Sequence, residues 1–180
     1  MRQAIVYIRG LNTHADSDWC GMRAFLEQLA ALLGADLIAL DYDDAAALQG
    51  LESQLAGYEV IHGAGHSHGA AALYEWLKMT RRNLGVAAFL DLAPQWQPLA
   101  WTGAPWNAPP NSDTVLVFYQ RNDAPLAGVR LVGTNVQEFD VTTWGLHHST
   151  MCADDRVHDR IALAILWQRA AVVGAVAEGG

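Results

Sequence analysis

The sequence predicts an α/β fold of about six mostly parallel strands with helices on both faces. Three observations carry this. Short apolar runs alternate with segments of helical spacing along the chain, the order that builds a parallel sheet through crossover helices. Hydrophobic residues make up 52% of 180 residues, enough to bury a substantial core in one domain. At Gly65-His66-Ser67-His68-Gly69 an apolar run passes directly into an Ala-rich, helix-forming segment.

The elements follow in order. Ala4 to Ile8 reads as a buried strand. A polar loop at Asn12-Thr13-His14 leads to Asp16-Ser17-Asp18, which supply a helix cap and first-turn acids. Trp19, Met22, Phe25, Leu26, Leu29 and Leu33 then recur at helical spacing until Gly34. Asp36 to Ala39 is a second strand, Ala45 to Leu55 a helix, and Val60-Ile61 enter the strand before Ser67. A helix is predicted over 70–84, strands over 86–92, 114–119 and 136–141, and a last helix over 154–172. Residues 95–113 hold Trp96, Trp101 and Trp106 among four prolines, too many for a long helix, so no large helical lid is expected there. These tryptophans would either wall an apolar substrate group or anchor a long loop.

Composition narrows the function classes. The net charge is −8, with 11 Lys plus Arg and no basic cluster, which argues against nucleic acid or an anionic membrane as partner. No apolar stretch has the length of a membrane span, and the first apolar run is too short for a signal peptide, so a cytoplasmic protein is expected. No linker divides residues 1–180. Cys20 and Cys152 lie far apart and show no metal-ligand spacing.

The chemistry centres on Ser67. A serine at a tight strand-to-helix turn sits in a strained conformation, and small residues two before and two after it let strand and helix approach. The first helical amides then point to where an oxyanion would form. A serine hydroxyl is a weak nucleophile and needs a base, oriented in turn by an acid. His147 and His148 lie in the loop after the last strand, at the same sheet edge as Ser67. His158 falls inside the last helix, where a surface role is expected. His62, His66 and His68, with Asp91, have the residue types of a zinc site. Because His66 and His68 flank a turn and should point to opposite sides, no metal is assigned.

Taken together, Arg9-Gly10-Leu11 after the first strand, Gly65-His66-Ser67-His68-Gly69, Leu90-Asp91 at a strand end and His148-Ser149-Thr150 before a helix resemble the α/β-hydrolase superfamily of the lipase and esterase kind. The resemblance implies a minimal form of that fold, opening on what would be its third strand. It implies a serine hydrolase acting without cofactor on a small-molecule ester, by acyl-enzyme chemistry. Ser67 would be the nucleophile and His148 the base, with His147 its neighbour. Two acids are candidates: Asp91, placed as in the pancreatic-lipase-like branch, and Asp123, after the next strand, where most of the superfamily carries its acid. The apolar strand behind Asp91 would keep it buried and fixed, which favours it. The oxyanion donors would be the backbone amides of Leu11 and His68, with Arg9 departing from the usual His-Gly. Asn12, Trp96 and Trp101 are the candidate substrate contacts. A non-catalytic binding module on the same scaffold is the alternative, since a fold does not fix a function.

Overall fold

The computed structural model describes residues 1–10, 20–94, 104–123 and 127–178, the side chains of 172–178 excepted. Six strands form one parallel sheet: β1 (Gln3–Arg9), β2 (Asp36–Asp41), β3 (Val60–His66), β4 (Leu84–Leu90), β6 (Ser112–Tyr119) and β8 (Val136–Asp140). Their order is β2-β1-β3-β4-β6-β8. A separate two-stranded ribbon pairs β5 (Trp106–Asn107) with β7 (Leu131–Val132), also in parallel. Every residue of β1 and of β4 is buried, as expected of strands covered on both faces.

Among the described residues four α-helices cover the sheet. α1 (Met22–Leu33) and α4 (Asp155–Glu178) lie on one face, where Met22, Leu26, Val157 and Ile161 pack on Tyr7, Ala64 and Phe118. α2 (Ala45–Gln54) and α3 (His68–Met79) lie on the other, where Leu51, Leu73 and Trp76 pack on Val6, Ile8, Phe89 and Val117. Each large apolar side chain so buried contributes about 1.5–3 kcal/mol. β1 is flanked by β2 on one side and β3 on the other, and α1 and α3, the helices that follow β1 and β3, cover opposite faces, the switch in topology that favours a site at the carboxyl edge of such a sheet.

Several boundaries differ from the sequence reading, each for a local or tertiary reason. α1 begins at Met22, after Gly21 in the left-handed region (φ 70°). Asp16 to Asp18, the expected cap, lie outside the described residues. α3 ends at Met79 rather than near Leu84, because Asn111 reaches across and donates its amide to the carbonyls of Leu77, Thr80 and Arg82. β4 accordingly starts at Leu84 and ends at Leu90, two residues earlier than read. α4 runs on to Glu178. The ribbon of β5 and β7 was not anticipated. It seats Trp106 against Tyr74 of α3, ring centroids 5.2 Å apart, so this tryptophan anchors its segment to the body. His158, expected at the surface, stacks on Phe25 at 4.2 Å and donates Nε2–H to the Cys152 carbonyl at 2.8 Å, because its face of α4 meets α1. Cys20 and Cys152 are both buried. Among the described residues no helix is long and apolar enough to cross a membrane.

Candidate active site

Ser67 stands between β3 and α3 with φ 56° and ψ −124°, a strained conformation for a residue with a side chain. Close packing on both sides holds it there. A Cβ on Gly65 would fall 2.7 Å from the Cα of Ala70 in α3. One on Gly69 would fall 2.6 Å from the carbonyl carbon of Ile8 in β1. The two glycines of the motif therefore let the helix lie directly on the sheet, and the turn between them has no room to relax. Ser67 also receives main-chain support: its N–H donates to the Leu90 carbonyl at 2.9 Å, and its own carbonyl accepts from Ala93 at 3.2 Å.

The Ser67 hydroxyl points toward the histidine loop. It donates to Nε2 of His148 at 2.9 Å, and Nδ1–H of His148 donates to Oδ2 of Asp91 at 2.6 Å. Asp91, directly after β4, is fully buried and sits at φ 46°, held by its N–H on the Phe118 carbonyl at 2.7 Å. Its carboxylate takes two more hydrogen bonds, from Gln120 Nε2 at 2.9 Å and from the Gly128 amide at 2.6 Å. A carboxylate out of water needs such donors to stay charged. With Nδ1 committed to Asp91 as a donor, Nε2 carries the lone pair that faces the serine.

Asp123 does not touch the His148 ring. Its Oδ2 accepts the His148 backbone amide at 2.7 Å, and its Oδ1 accepts Nδ1–H of His147 at 2.6 Å. Partial burial pushes its carboxyl up, but the bonds from the His147 ring and the His148 amide outweigh this and leave it below the usual carboxylate range. The two acids thus divide the histidine pair: Asp91 takes the ring of His148, Asp123 its main chain and the half-exposed His147.

The elbow histidines are separately engaged. His66 Nε2–H donates to the His148 carbonyl at 2.9 Å, and His68 Nδ1–H donates to the Ala93 carbonyl at 2.8 Å. His62 finds no hydrogen-bond partner for either ring nitrogen among the described residues. Among the described residues no group of three or more His, Cys, Asp or Glu is arranged to hold a metal. Burial first, then the neighbouring His148, drives His66 down to about 4, so it stays neutral at ordinary pH. At the end of β1, buried Arg9 pairs with Asp41 at 2.9 Å across the β1–β2 edge. Leu11, Asn12, Trp96 and Trp101 lie outside the described residues.

The sequence reading missed Gln120 and Gly128. Gln120 is fully buried and donates to Asp91 while its Oε1 accepts the Asp123 amide at 2.9 Å. A polar residue immediately after the apolar TVLVFY run, at the edge where the site forms, was its available signal. Gly128 gave none, since its contact with Asp91 comes from distant chain.

A parallel sheet with two helices on each face among the described residues, carrying a strained serine between its third strand and the following helix, is the α/β-hydrolase fold. Two solved structures share it. Est1E from Butyrivibrio proteoclasticus is 15% identical, with a TM-score of 0.61 over 94% of this chain and 89% of that one. A single-residue variant of SOBER1 from Arabidopsis thaliana is 14% identical, with a TM-score of 0.54 over 93% of this chain and 99% of that one. At such identities the likeness concerns the fold. No family model matches the sequence, and no curated protein sequence matches it.

Proposed function

We propose that the protein is a serine hydrolase that cleaves a small carboxylic ester through an acyl-enzyme intermediate. The observation that supports it is the unbroken line from the Ser67 hydroxyl through both nitrogens of His148 to the buried carboxylate of Asp91. Ser67 Oγ attacks the ester carbonyl carbon while its proton passes to His148 Nε2. Asp91 stabilises the imidazolium so formed and fixes the tautomer. The oxyanion is held by backbone amides, those of His68 and Leu11 on this reading. The His68 amide opens α3, where the first N–H groups have no intrahelical acceptor. Collapse expels the alcohol, which takes the proton from Nε2. Water, deprotonated by the same nitrogen, then releases the acid and restores Ser67. Substrate contacts are assigned to Asn12, Trp96 and Trp101, on the segments that follow β1 and β4 in the sequence.

A series of p-nitrophenyl esters of graded acyl length tests the proposal. Rapid mixing should give a burst of p-nitrophenol close to one per protein, followed by slower turnover set by deacylation. The Ser67→Ala variant should show neither phase. Turnover that survives Ser67→Ala would refute the assignment of the nucleophile. A folded protein that turns over no ester and forms no acyl adduct would favour the binding module instead.

A further inference from the structure

His148 is gripped by its main chain as well as by its ring. The two peptide groups flanking its Cα are each held by a side chain from elsewhere: the amide by Asp123 Oδ2 at 2.7 Å, the carbonyl by His66 Nε2–H at 2.9 Å. His66 comes from the last residue of β3, Asp123 from the turn after β6. The local turn contributes only bonds to residue 147, in which the Thr150 and Met151 amides donate to the His147 carbonyl at 3.1 Å. Without the two side chains, φ and ψ of His148 would be set by a turn that does not bond to it.

The grip is itself anchored. Asp123 is tied through its amide to Gln120 Oε1, and Gln120 Nε2 returns to the Asp91 oxygen that holds the His148 ring. The bonds close into a circuit: Asp91, His148 ring, His148 amide, Asp123, Gln120, Asp91. His66 closes the other side from within the core, at 2% exposure, with its ring centroid 4.9 Å from that of His148. A second charge that near the imidazolium would oppose it, and burial keeps His66 neutral.

We infer that His66 and Asp123 are positioning residues that clamp the main chain of His148 and so aim its Nε2 at Ser67. Neither touches the reacting atoms. The kinetic consequence rests on the hydrolase reading above; the structural one does not. A misplacement of about 1 Å in a reacting group lowers turnover by about 10²-fold.

Four variants test it, in pairs. His66→Phe keeps the ring volume and removes the donor, whereas His66→Gln restores an N–H close to the Nε2 position. Asp123→Ala removes both acceptors, whereas Asp123→Asn keeps one. Three quantities are read: kcat and KM on p-nitrophenyl acetate, the melting temperature, and the far-downfield proton resonance of the His148 Nδ1–H bonded to Asp91. Phe and Ala should lower kcat by about 10²-fold with KM unchanged, and broaden or abolish the resonance well below the melting temperature. Gln and Asn should recover most of both. The inference fails if Phe and Ala keep the wild-type resonance and kcat, or if Gln and Asn are as impaired as Phe and Ala. Should one pair not fold, the other decides. If the wild type shows the resonance but hydrolyses nothing, the hydrolase reading falls, and the clamp is judged on the resonance alone.

Discussion

β3 carries two imidazoles on the same face, His62 and His66, and both are shut away from water, at 1% and 2% exposure. Burial drives both down to about 4. They differ in what surrounds them. His66 has a carbonyl to donate to, and through it joins a circuit that reaches Ser67. His62, in mid-strand, has no partner for either nitrogen among the described residues and lies beside Gly85, where a Cβ would fall 3.0 Å from its Cε1. A strongly displaced pKa therefore marks both a candidate site and a plain burial on one strand. The hydrogen-bond network separates them. Changes in the network should show in turnover, and changes at His62 in stability.

The largest expected effect lies in the network. Asp91→Asn should lower kcat by about 10⁴-fold, because the amide cannot hold the productive tautomer of His148. Asp123→Asn should cost much less, since its bond is to the main chain. Steady-state kinetics on one ester ranks the two, and the reverse ranking would hand the orienting role to Asp123. Next comes Gly128→Ala. The added Cβ would meet Asp91 Oδ1 and lie 2.7 Å from its Cα. Denaturant melts should show a loss of about 1–3 kcal/mol, and kcat should fall with it, because the strain lands on the carboxylate.

The remaining two predictions concern stability alone. The unfolded chain protonates its histidines near the ordinary value of 6.5, whereas folded His62 and His66 resist until about 4. Unfolding therefore takes up protons between those values, and stability falls as pH drops through that window. For His62 the full loss, reached below the lower value, is about 3 kcal/mol from the span between 6.5 and about 4. Urea melts across that range should show the slope, and His62→Leu should remove about one proton of it. Asp123, held below the carboxylate range, adds a separate loss at more acid pH. At neutral pH His62→Leu should be neutral or stabilising by about 1 kcal/mol, since it removes orphaned polar atoms and leaves a side chain of similar size. A large loss there would mean that His62 has a role the network view denies it.

Much of the sheet and the helix alternation was legible because each rests on local patterning. The runs at Ala4 to Ile8 and Thr114 to Tyr119 can be little else than buried strands. Ser67 was legible for the same reason, because the motif describes its own backbone strain. The end of α3 was not. Lys78 to Arg82 favours a helix, and Asn111, more than 25 residues later, takes the carbonyls at its end. The division of labour between Asp91 and Asp123 was legible in part: the apolar strand behind Asp91 favoured it as the acid for His148, whereas the bond of Asp123 to the His148 amide depends on how the loop is clamped. The role of His66 in that clamp had no local signal either.

The most direct measurement is labelling of the folded protein with a fluorophosphonate, read by intact mass. The wild type should take one adduct, located at Ser67 by peptide mapping, and Ser67→Ala should take none. A folded wild type that stays unlabelled, or a Ser67→Ala variant that labels equally well, would contradict the claim that His148 and Asp91 activate this serine.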